Sequence, residues 1–236
     1  MTSKYSRLDR FISKKTNIKR KDIRLILAQK RIIINAAIAT DLQQIIGPFD
    51  KVVFDSETLQ EQSAQYFMLH KPVGVVCANH DKIHKTVFDL LNPINDSQLH
   101  IVGRLDLNTS GLVLITNDGK WSKSITSPLN KVTKEYQVEL KNVLNNDYIP
   151  AFEKGMYFEF EDLTTQPAKL KITGERNATL TLTEGRYHQV KRMFGRFRNP
   201  VLKLHRSAIG KLELCNTLEP GQHRPLSSSE LQLLLD

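Results

Sequence analysis

Short apolar segments separated by turn-forming residues dominate the chain from Tyr66 onward. They read "YFMLHKP", "VGVVCAN", "HIVGRL", "SGLVLIT", "KEYQVEL", "AKLKIT" and "ATLTLTEG". In the last segment apolar residues alternate with threonines, as in a strand with one buried face: Ala178, Leu180 and Leu182 against Thr179, Thr181 and Thr183. Helical patterns interrupt the segments without regular strand-helix repetition. We therefore predict an α+β fold with a mixed or antiparallel sheet.

Local signals indicate where helices and turns interrupt this sheet. Apolar residues spaced i, i+3, i+4, i+7 predict one helix through Val190, Met193, Phe194 and Phe197. Residues 87–91 form a shorter helical pattern that stops at Asn92-Pro93, and Ser227 with Glu230 makes a capping box for a C-terminal helix. The tetrapeptide "TNDG" at 116–119 is typical of a tight turn that closes the preceding strand.

The formal charge is concentrated at the N-terminus. Residues 1–31 contain eleven Lys and Arg residues and two Asp residues, which accounts for the whole net charge of +9. Such a module indicates a polyanionic partner, because each neutralised phosphate releases condensed counterions. The alternatives are a solvated helical face and a patch that binds anionic membranes.

The basic region has its own pattern of helices and strands. Ser6 with Asp9 resembles a capping box before an apolar helical face, and Asn17 is placed to cap a second helix. Strand-like "RIIIN" and "KVVFDS" follow. The stretch "SETLQEQSAQ" is polar and poor in core residues. We therefore predict a small helix-helix-strand domain at 1–58, a linker at 59–65 and a larger domain at 66–236.

Several classes of protein are disfavoured by what the sequence lacks. No apolar stretch approaches the length of a membrane span, and the first residues lack the apolar core of a signal peptide, so we expect a cytoplasmic protein. Cys77 and Cys215 have no neighbouring Cys at metal or redox spacing. The sequence also contains no Walker loop, G-x-G-x-x-G, H-E-x-x-H or G-x-S-x-G motif.

One carboxylate stands out in "GRLDLNTSGLVLITNDG", residues 103–119. By position alone Asp106 could simply cap a turn before a strand. Gly103, however, permits close backbone approach, and Arg104 supplies a guanidinium beside the acid. A carboxylate held near a cation stays ionised and can act as a nucleophile or a base.

A second cation comes from "EGRYHQVKRMFG", residues 184–195. At about 100° per residue, Lys191 lies at the flank of the apolar helix face, whereas Arg192 and Arg196 lie farther round. Lys191 can therefore border a cleft. His188 in the same segment is more typical of a structural or RNA-facing group than of a metal ligand, because no partner ligands lie close to it in sequence.

These segments together resemble the pseudouridine synthases. "GRLDLNTSGLVLITNDG" is similar to the signature of that family. Four further segments occur along the chain in the order expected of its ribosomal RNA branch: "KPVGVVC", "KEYQVEL", "EGRYHQVKRMFG" and "LHRSAIG". "EGRYHQVKRMFG" and "DGKWSKSITSP" most resemble the branch that modifies a uridine of 16S rRNA. Residues 6–56 resemble the alpha-L RNA-binding domain, with Lys30 and Ala36 where that family usually has glycines.

The resemblance implies roles for individual residues. Asp106 would be the essential nucleophile or base, Tyr136 would stack on the uracil and take part in proton transfer, and Lys191 would pair with Asp106. Arg104 would hold the target nucleotide out of its stack. The implied substrate-binding set also includes Leu204, which would pack on the uracil, Arg186 and Gln189. In the basic domain the implied RNA-binding set is Arg7, Arg10, Lys19, Arg20, Arg24 and Arg31.

The implied reaction detaches uracil from ribose C1′ and rejoins it through a carbon, so the resemblance implies no metal and no cofactor. The partner would be 16S rRNA or a small-subunit precursor particle, bound by a monomer. Three alternatives remain open. They are a synthase for a 23S rRNA uridine, a non-catalytic RNA-binding assembly protein and a glycosidic-bond hydrolase, although a hydrolase normally needs two carboxylates in defined separation.

Overall fold

The computed structural model describes residues 5–91 and 98–234. Contacts between residues divide the chain into two compact units, residues 1–64 and residues 65–236. The expected helix end at Asn92-Pro93 lies outside the described residues. Within those residues, no helix has the combined length and apolar character that a membrane span requires.

The first unit packs two helices against short antiparallel strands. The helices are α1 (Leu8–Thr16) and α2 (Arg20–Ala28). The strands are β1 (Ser6–Arg7), β2 (Ile32–Ile34), β3 (Ala37–Ile38), β4 (Ile45–Ile46), β5 (Val52–Phe54) and β6 (Glu57–Gln60). β1 pairs with β4, and the larger sheet has the order β3-β2-β5-β6. Leu8, Ile12, Ile23 and Ile26 are buried, which confirms the predicted apolar helix faces.

The helix ends differ from the sequence prediction. α1 follows Arg7, and the Ser6 hydroxyl donates to the Arg7 carbonyl (3.3 Å) instead of capping the helix. The Asp9 carboxylate accepts hydrogen bonds from Arg7 and Arg20, so the predicted Ser6/Asp9 capping box is wrong. Asn17 ends α1 in the left-handed conformation (φ 61°) and does not cap α2, which follows Lys19.

Two positions where glycine was expected carry side chains in the left-handed region. Lys30 has φ 59° and Ala36 has φ 69°. Ala36 and Asn35 (φ 50°) form the two-residue turn between β2 and β3, and positive φ at both is the geometry of a type I′ hairpin. A Cβ in this region costs about 1–2 kcal/mol. The turn therefore forms with the expected shape but without the glycine that would relieve it.

The polar segment predicted as a linker begins inside the sheet. β6 pairs with β5, with Val52 opposite Gln60. The Gln60 amide also donates to the carbonyls of Gly47 and Asp50, each at 2.8 Å. The linker predicted at 59–65 therefore starts too early. Its polarity reflects an edge strand whose side chains are half-exposed or exposed.

In the described residues, nine strands of the second unit form one sheet. They are β7 (Tyr66–Lys71), β8 (His100–Val102), β9 (Ser110–Thr116), β10 (Lys134–Leu140), β13 (Lys169–Gly174), β14 (Asn177–Leu182), β15 (Val201–Ile209), β16 (Leu212–Glu213) and β17 (His223–Pro225). The main path is β13-β14-β10-β15-β9-β7-β17, with β8 on β9 and β16 on β15. β15 and β9 are parallel and the other pairs antiparallel, so the predicted mixed sheet is confirmed.

Helices cover both faces of this sheet. They are α3 (Gly119–Thr126), α4 (Tyr148–Lys154), α5 (Gln189–Gly195) and α6 (Ser228–Gln232), with single 3₁₀ turns at Phe88–Leu90, Pro128–Asn130 and Glu159–Glu161. A separate two-stranded ribbon joins β11 (Tyr157–Phe158) to β12 (Leu163–Thr164). α4 and α5 pack on one face, and α3 on the other. The capping box of Ser227 and Glu230 is present at the start of α6, as predicted.

The central strand β9 explains the long apolar run that follows Asp106. Val113 and Ile115 belong to the core on the α4 and α5 side, whereas Leu112 and Leu114 belong to the core on the α3 side. A strand covered on both faces needs apolar residues at every position. The loop that carries Asp106 is thus attached to the most buried part of the sheet.

Two local predictions in this unit are wrong. "VGVVCAN" forms no strand, and its only described pairing is a single bridge from Val76 to Thr86. "TNDG" does not turn back into a hairpin, because Asp118 caps α3 by accepting hydrogen bonds from the backbone of Lys120 (2.9 Å) and Trp121 (3.1 Å). Asp before a helix and Asp in a tight turn look alike in sequence.

Candidate active site

Asp106 lies in a loop, residues 103–109, that connects β8 to β9. We call this segment the acid loop. The Asp106 side chain is 32% exposed, so its carboxylate is half-buried. The Thr109 amide donates to the Asp106 carbonyl (3.1 Å), which folds the loop back on itself directly after the acid. Gly103 opens the loop with φ 75°, a conformation that favours glycine.

A buried arginine fixes both ends of the acid loop. Arg206 on β15 is 3% exposed. Its Nε donates to the Leu112 carbonyl (2.8 Å) and its Nη2 to the Gly103 carbonyl (3.1 Å). The backbone of β15 also passes so close to Gly111 that an added Cβ would lie 2.3 Å from the Arg206 carbonyl oxygen. Glycine at 111 is therefore required for this strand pairing.

A buried lysine holds the same loop from the end of β7. Lys71 is fully buried, and its ammonium donates to the carbonyls of Thr109 (2.7 Å) and Pro72 (3.0 Å). Burial lowers the pKa of Lys71 to about 8, even though the thiol of Cys77 and the carboxylate of Asp106 favour its charge. Sequence reasoning missed this residue. The available signal was a lysine at the end of an otherwise apolar strand.

Two nitrogens face the two oxygens of the Asp106 carboxylate. Lys191 Nζ lies 3.7 Å from Oδ2, and His188 Nε2 lies 3.5 Å from Oδ1. Lys191 occupies this position because Val190, Met193 and Phe194 of α5 are buried, which leaves Lys191 on the flank of the helix. The sequence thus predicted the proximity of Lys191 and Asp106 correctly.

His188 belongs to this site, although the sequence favoured its interpretation as a structural or RNA-facing group. It precedes α5 with φ 49°, in the left-handed region, and its ring stacks on Tyr187 with centroids 3.9 Å apart. Strained backbone of this kind often accompanies functional positions. The local sequence could not reveal that His188 faces Asp106, because the two residues are brought together only by the packing of α5 against the sheet.

The apolar wall of the site comes from the sheet. Tyr136 on β10 is 8% exposed and Leu204 on β15 is 6% exposed. These strands pair antiparallel, with Val138 opposite Leu204 and Tyr136 opposite Arg206, so both side chains lie near the strand that fixes the acid loop. An aromatic ring and an aliphatic side chain in one wall can enclose a flat base.

A cleft brings the predicted residues together. It encloses about 450 Å³, part of it open solvent. The lining residues are Arg104, Leu105, Asp106, Thr109, Tyr136, Leu182, Gly185, Arg186, His188, Gln189, Val190, Lys191 and Leu204. All seven predicted catalytic and substrate-binding residues therefore border one hollow. Their chemical roles are not determined by this arrangement alone.

A buried carboxylate organises one side of the cleft. Glu184 is 6% exposed and accepts hydrogen bonds from the Gln189 amide (2.7 Å), the Arg186 Nε (3.0 Å) and the Gln166 backbone (2.9 Å). The Gln189 carbonyl oxygen in turn accepts from the Arg186 backbone (3.0 Å). The Gln189 side chain thus makes its hydrogen bonds within the protein, whereas the outer part of the Arg186 side chain is exposed at the cleft.

The predicted RNA-binding residues lie in the first unit. Arg10, Lys19 and Arg24 are exposed. The remaining three form ion pairs: Arg7 and Arg20 with Asp9, and Arg31 with Asp55. The Arg31–Asp55 pair is exposed and contributes little to stability, so Arg31 remains able to exchange its partner for a phosphate. Asp9 is 6% exposed, so Arg7 and Arg20 also serve to neutralise a buried carboxylate. In the described parts of the chain, no group of three or more His, Cys, Asp or Glu residues is arranged to hold a metal ion.

Comparisons with known proteins point to one family. Residues 65–195 match the model of the RNA pseudouridylate synthase family. The chain is 45% identical over 226 residues to ribosomal small subunit pseudouridine synthase A of Pseudomonas aeruginosa, covering 95% of this chain and 98% of that protein. The protein of the same name from Haemophilus influenzae is 40% identical over 230 residues, covering 97% and 99%. A crystal structure of a pseudouridylate synthase superposes with a TM-score of 0.71 at 40% identity, covering 97% of this chain and 99% of that one.

Proposed function

We propose a reaction and a substrate for this chain from one premise: it belongs to the RNA pseudouridylate synthase family. The chain isomerises a specific uridine of 16S rRNA to pseudouridine. The substrate follows from relatives at 40–45% identity whose names specify the ribosomal small subunit. The observation that carries the reaction is the Asp106 carboxylate, held between Lys191 and His188 in a cleft that Tyr136 and Leu204 also line.

The reaction exchanges one glycosidic bond for another. The bond from uracil N1 to ribose C1′ breaks, the base turns, and a bond from C5 to C1′ forms. The proton leaves C5 and N1 gains one, so no water or redox equivalent is consumed. An enzyme for this reaction needs a charged group at the sugar and an acceptor for one proton.

Asp106 supplies the charged group. Its two oxygens face Lys191 and His188, and a carboxylate can act as a nucleophile or a base. The phenol of Tyr136 takes part in the proton transfer at C5, and its ring stacks on the uracil. Leu204 packs on the base from the same wall and excludes water from it.

A uridine within folded RNA reaches this cleft only when it leaves its stack, because its glycosidic bond is otherwise covered. Arg104 is exposed and borders the cleft, where it holds the extruded nucleotide and its phosphate. Arg186, which also borders the cleft, binds the same nucleotide, and Gln189 keeps the Glu184 segment in place.

The basic first unit supplies affinity for the rRNA. Its exposed Arg and Lys residues bind phosphates without reading sequence. The enzyme acts as a monomer in the cytoplasm, on 16S rRNA or on a small-subunit precursor particle. We assign this unit to the alpha-L RNA-binding domain predicted at 1–58 and extend it to Gln60, where the edge strand ends.

Mapping the product tests this function. Purified protein is incubated with 16S and 23S rRNA from cells that lack it, and pseudouridines are mapped on both RNAs. We expect one new pseudouridine in 16S rRNA and none with Asp106→Asn, which has the shape of Asp106 but no charge. Asp106→Asn should still bind the RNA. A new pseudouridine in 23S rRNA, release of free uracil, or full activity of the variant would each reject the proposed function.

A further inference from the structure

A second hollow lies beside the active-site cleft and shares two residues with it. Gly185 and Arg186 border both hollows. The second encloses about 1010 Å³, part of it open solvent, and is otherwise lined by the 3₁₀ turn after α3 and by the segment around Gln166. We call it the flanking groove. No residue outside the shared pair has a role in the chemistry described above.

The flanking groove presents an apolar surface to solvent. Leu129 is 89% exposed, and it stands on the 3₁₀ turn Pro128–Asn130. A side chain this exposed adds little to the core, so it is available to contact a bound ligand. An apolar side chain beside a cleft instead offers a surface on which a flat base can pack.

Polar groups surround this leucine. Lys131 is exposed with φ 50°, and among the described residues its ammonium has neither an ion-pair nor a hydrogen-bond partner. The Gln166 side-chain amide likewise has no hydrogen-bond partner in the described part of the chain, because only its backbone is bonded. An amide can bond to a base edge, and an ammonium can bind a phosphate.

The acid in the groove does not oppose an anion. Glu184 is 6% exposed, and its two oxygens already accept three hydrogen bonds within the protein. Because the Arg186 guanidinium pairs with Glu184, Lys131 supplies the unpaired positive charge among the described residues that line the groove. The groove thus combines an apolar contact, a free amide and an unpaired ammonium, which match the face, the edge and the phosphate of one nucleotide.

We infer that the flanking groove holds the base of a nucleotide next to the target uridine on the same RNA strand. The inference rests on the proposed function, because the shared wall at Gly185 and Arg186 places the groove one step from the uridine cleft. Neighbouring bases unstack when the uridine is extruded, and a groove that binds one of them helps to hold the opened strand. The groove thereby contributes to the choice of uridine.

A thermodynamic cycle tests the inference. The substrate is a 16S rRNA fragment that spans the mapped uridine, and two further fragments carry an abasic site immediately 5′ or immediately 3′ of it. Binding is measured in the Asp106→Asn background, where no turnover occurs. We expect one abasic fragment to bind about fivefold more weakly than the intact fragment, as for loss of a partly buried contact.

The variant Leu129→Ala should weaken binding of the intact fragment by the same factor and have no further effect on that abasic fragment. Val143→Ala, at another exposed aliphatic residue, is the matched control and should leave binding unchanged. The inference would be overturned if Leu129→Ala lost the same affinity for all fragments, or lost none for the intact fragment. A loss seen only with ribosomal particles would point to a protein partner and would also overturn it.

A salt titration gives a second, independent readout. Lys131→Ala should lower the slope of log Kd against log salt by about one, because one phosphate contact is lost. Lys171→Ala, at an exposed lysine on β13, should leave the slope unchanged. Turnover by wild-type protein on the intact fragment reports on the proposed function separately. If the wild-type protein is active but Leu129→Ala and the abasic site show no coupling in binding, only the inference about the groove is rejected. If the coupling is seen but the protein is inactive, only the proposed reaction is rejected.

Discussion

His188 Nε2 lies 3.5 Å from Asp106 Oδ1, and Lys191 Nζ lies 3.7 Å from the other oxygen of the same carboxylate, Oδ2. One acid is therefore flanked by an imidazole and by an ammonium, each on its own oxygen. The ammonium is a compact cation with three donors, whereas the imidazole is charged only when protonated. The two neighbours should thus contribute unequally to the electrostatic environment of Asp106.

This difference predicts the rates of two variants. Lys191→Met should lower the single-turnover rate of pseudouridine formation about 100-fold, because it removes the ammonium beside a half-buried carboxylate. His188→Ala should lower it about tenfold. The double variant should lose less than the product of the two factors, because both groups act on one carboxylate.

Lys203→Met is the control for these rates. Lys203 forms an exposed ion pair with Glu139 and does not line the cleft. This variant should retain the wild-type rate. Independent, multiplicative losses in the double variant would show that the imidazole does not act through Asp106.

The buried Lys71 should make stability depend on pH. Its pKa is lowered to about 8 in the folded protein, and the unfolded chain has an ordinary lysine. Between about pH 8 and pH 10.5 the unfolded state therefore binds more protons, so this group raises the free energy of unfolding as pH increases. The gain should be about 3 kcal/mol across this window.

Trp121 fluorescence provides the measurement, because the chain has one tryptophan and it lies in the second unit. Urea unfolding of wild-type protein and Lys71→Met is compared from pH 7.5 to pH 10. The difference between their free energies of unfolding should grow with pH in favour of the wild type. A constant difference would show that Lys71 is not buried as a lowered-pKa group.

Gly111 should tolerate no side chain. A Cβ there would lie 2.3 Å from the Arg206 carbonyl oxygen, at φ 114°. We expect Gly111→Ala to lower the free energy of unfolding by about 3 kcal/mol, because the parallel pairing of β9 and β15 must shift. Gly119→Ala is the control, since a Cβ at Gly119 meets nothing within 4 Å. Equal stability of the two variants would contradict the close strand approach.

At Ala36, in contrast to Gly111, we expect a change to glycine to stabilise the protein. Glycine there would relieve about 1–2 kcal/mol of left-handed strain while increasing the entropy of the unfolded chain. We expect Ala36→Gly to stabilise the β2-β3 hairpin by about 0.5–1 kcal/mol, seen as slower hydrogen exchange of its amides. Ala37→Gly, within β3 itself, should accelerate that exchange. Faster exchange in Ala36→Gly would show that the turn is not strained.

Periodicity and composition determined the fold class of this chain. Alternation along β14 and the apolar face of α5 depend on neighbours two to four residues apart, so the sequence displays them directly. The proximity of Lys191 and Asp106 could also be predicted from the sequence. One lies on the flank of a predicted helix, and the other was singled out by the family motif that contains it.

Errors occurred where one residue type serves two structures. Asp118 begins a helix but reads as a turn, and the polar residues of β6 read as a linker. Lys30 and Ala36 take up left-handed backbone that their residue types do not announce. At these two positions the neighbouring strands and helices impose a conformation against local preference, whereas Asp118 has two structures open to it that local preference does not distinguish.

Only the tertiary structure decided what surrounds the acid. Lys71, His188 and Arg206 come from the end of β7, the start of α5 and the middle of β15, and they reach the acid loop from three directions. No spacing in the sequence encodes those contacts, because they depend on the parallel pairing of β15 with β9 and on the packing of α5. The sequence singled out one carboxylate, Asp106, as the candidate for the chemistry. The fold determined which charges hold it in place, since electrostatic and hydrogen-bond energies depend on distance in space and not on separation along the chain.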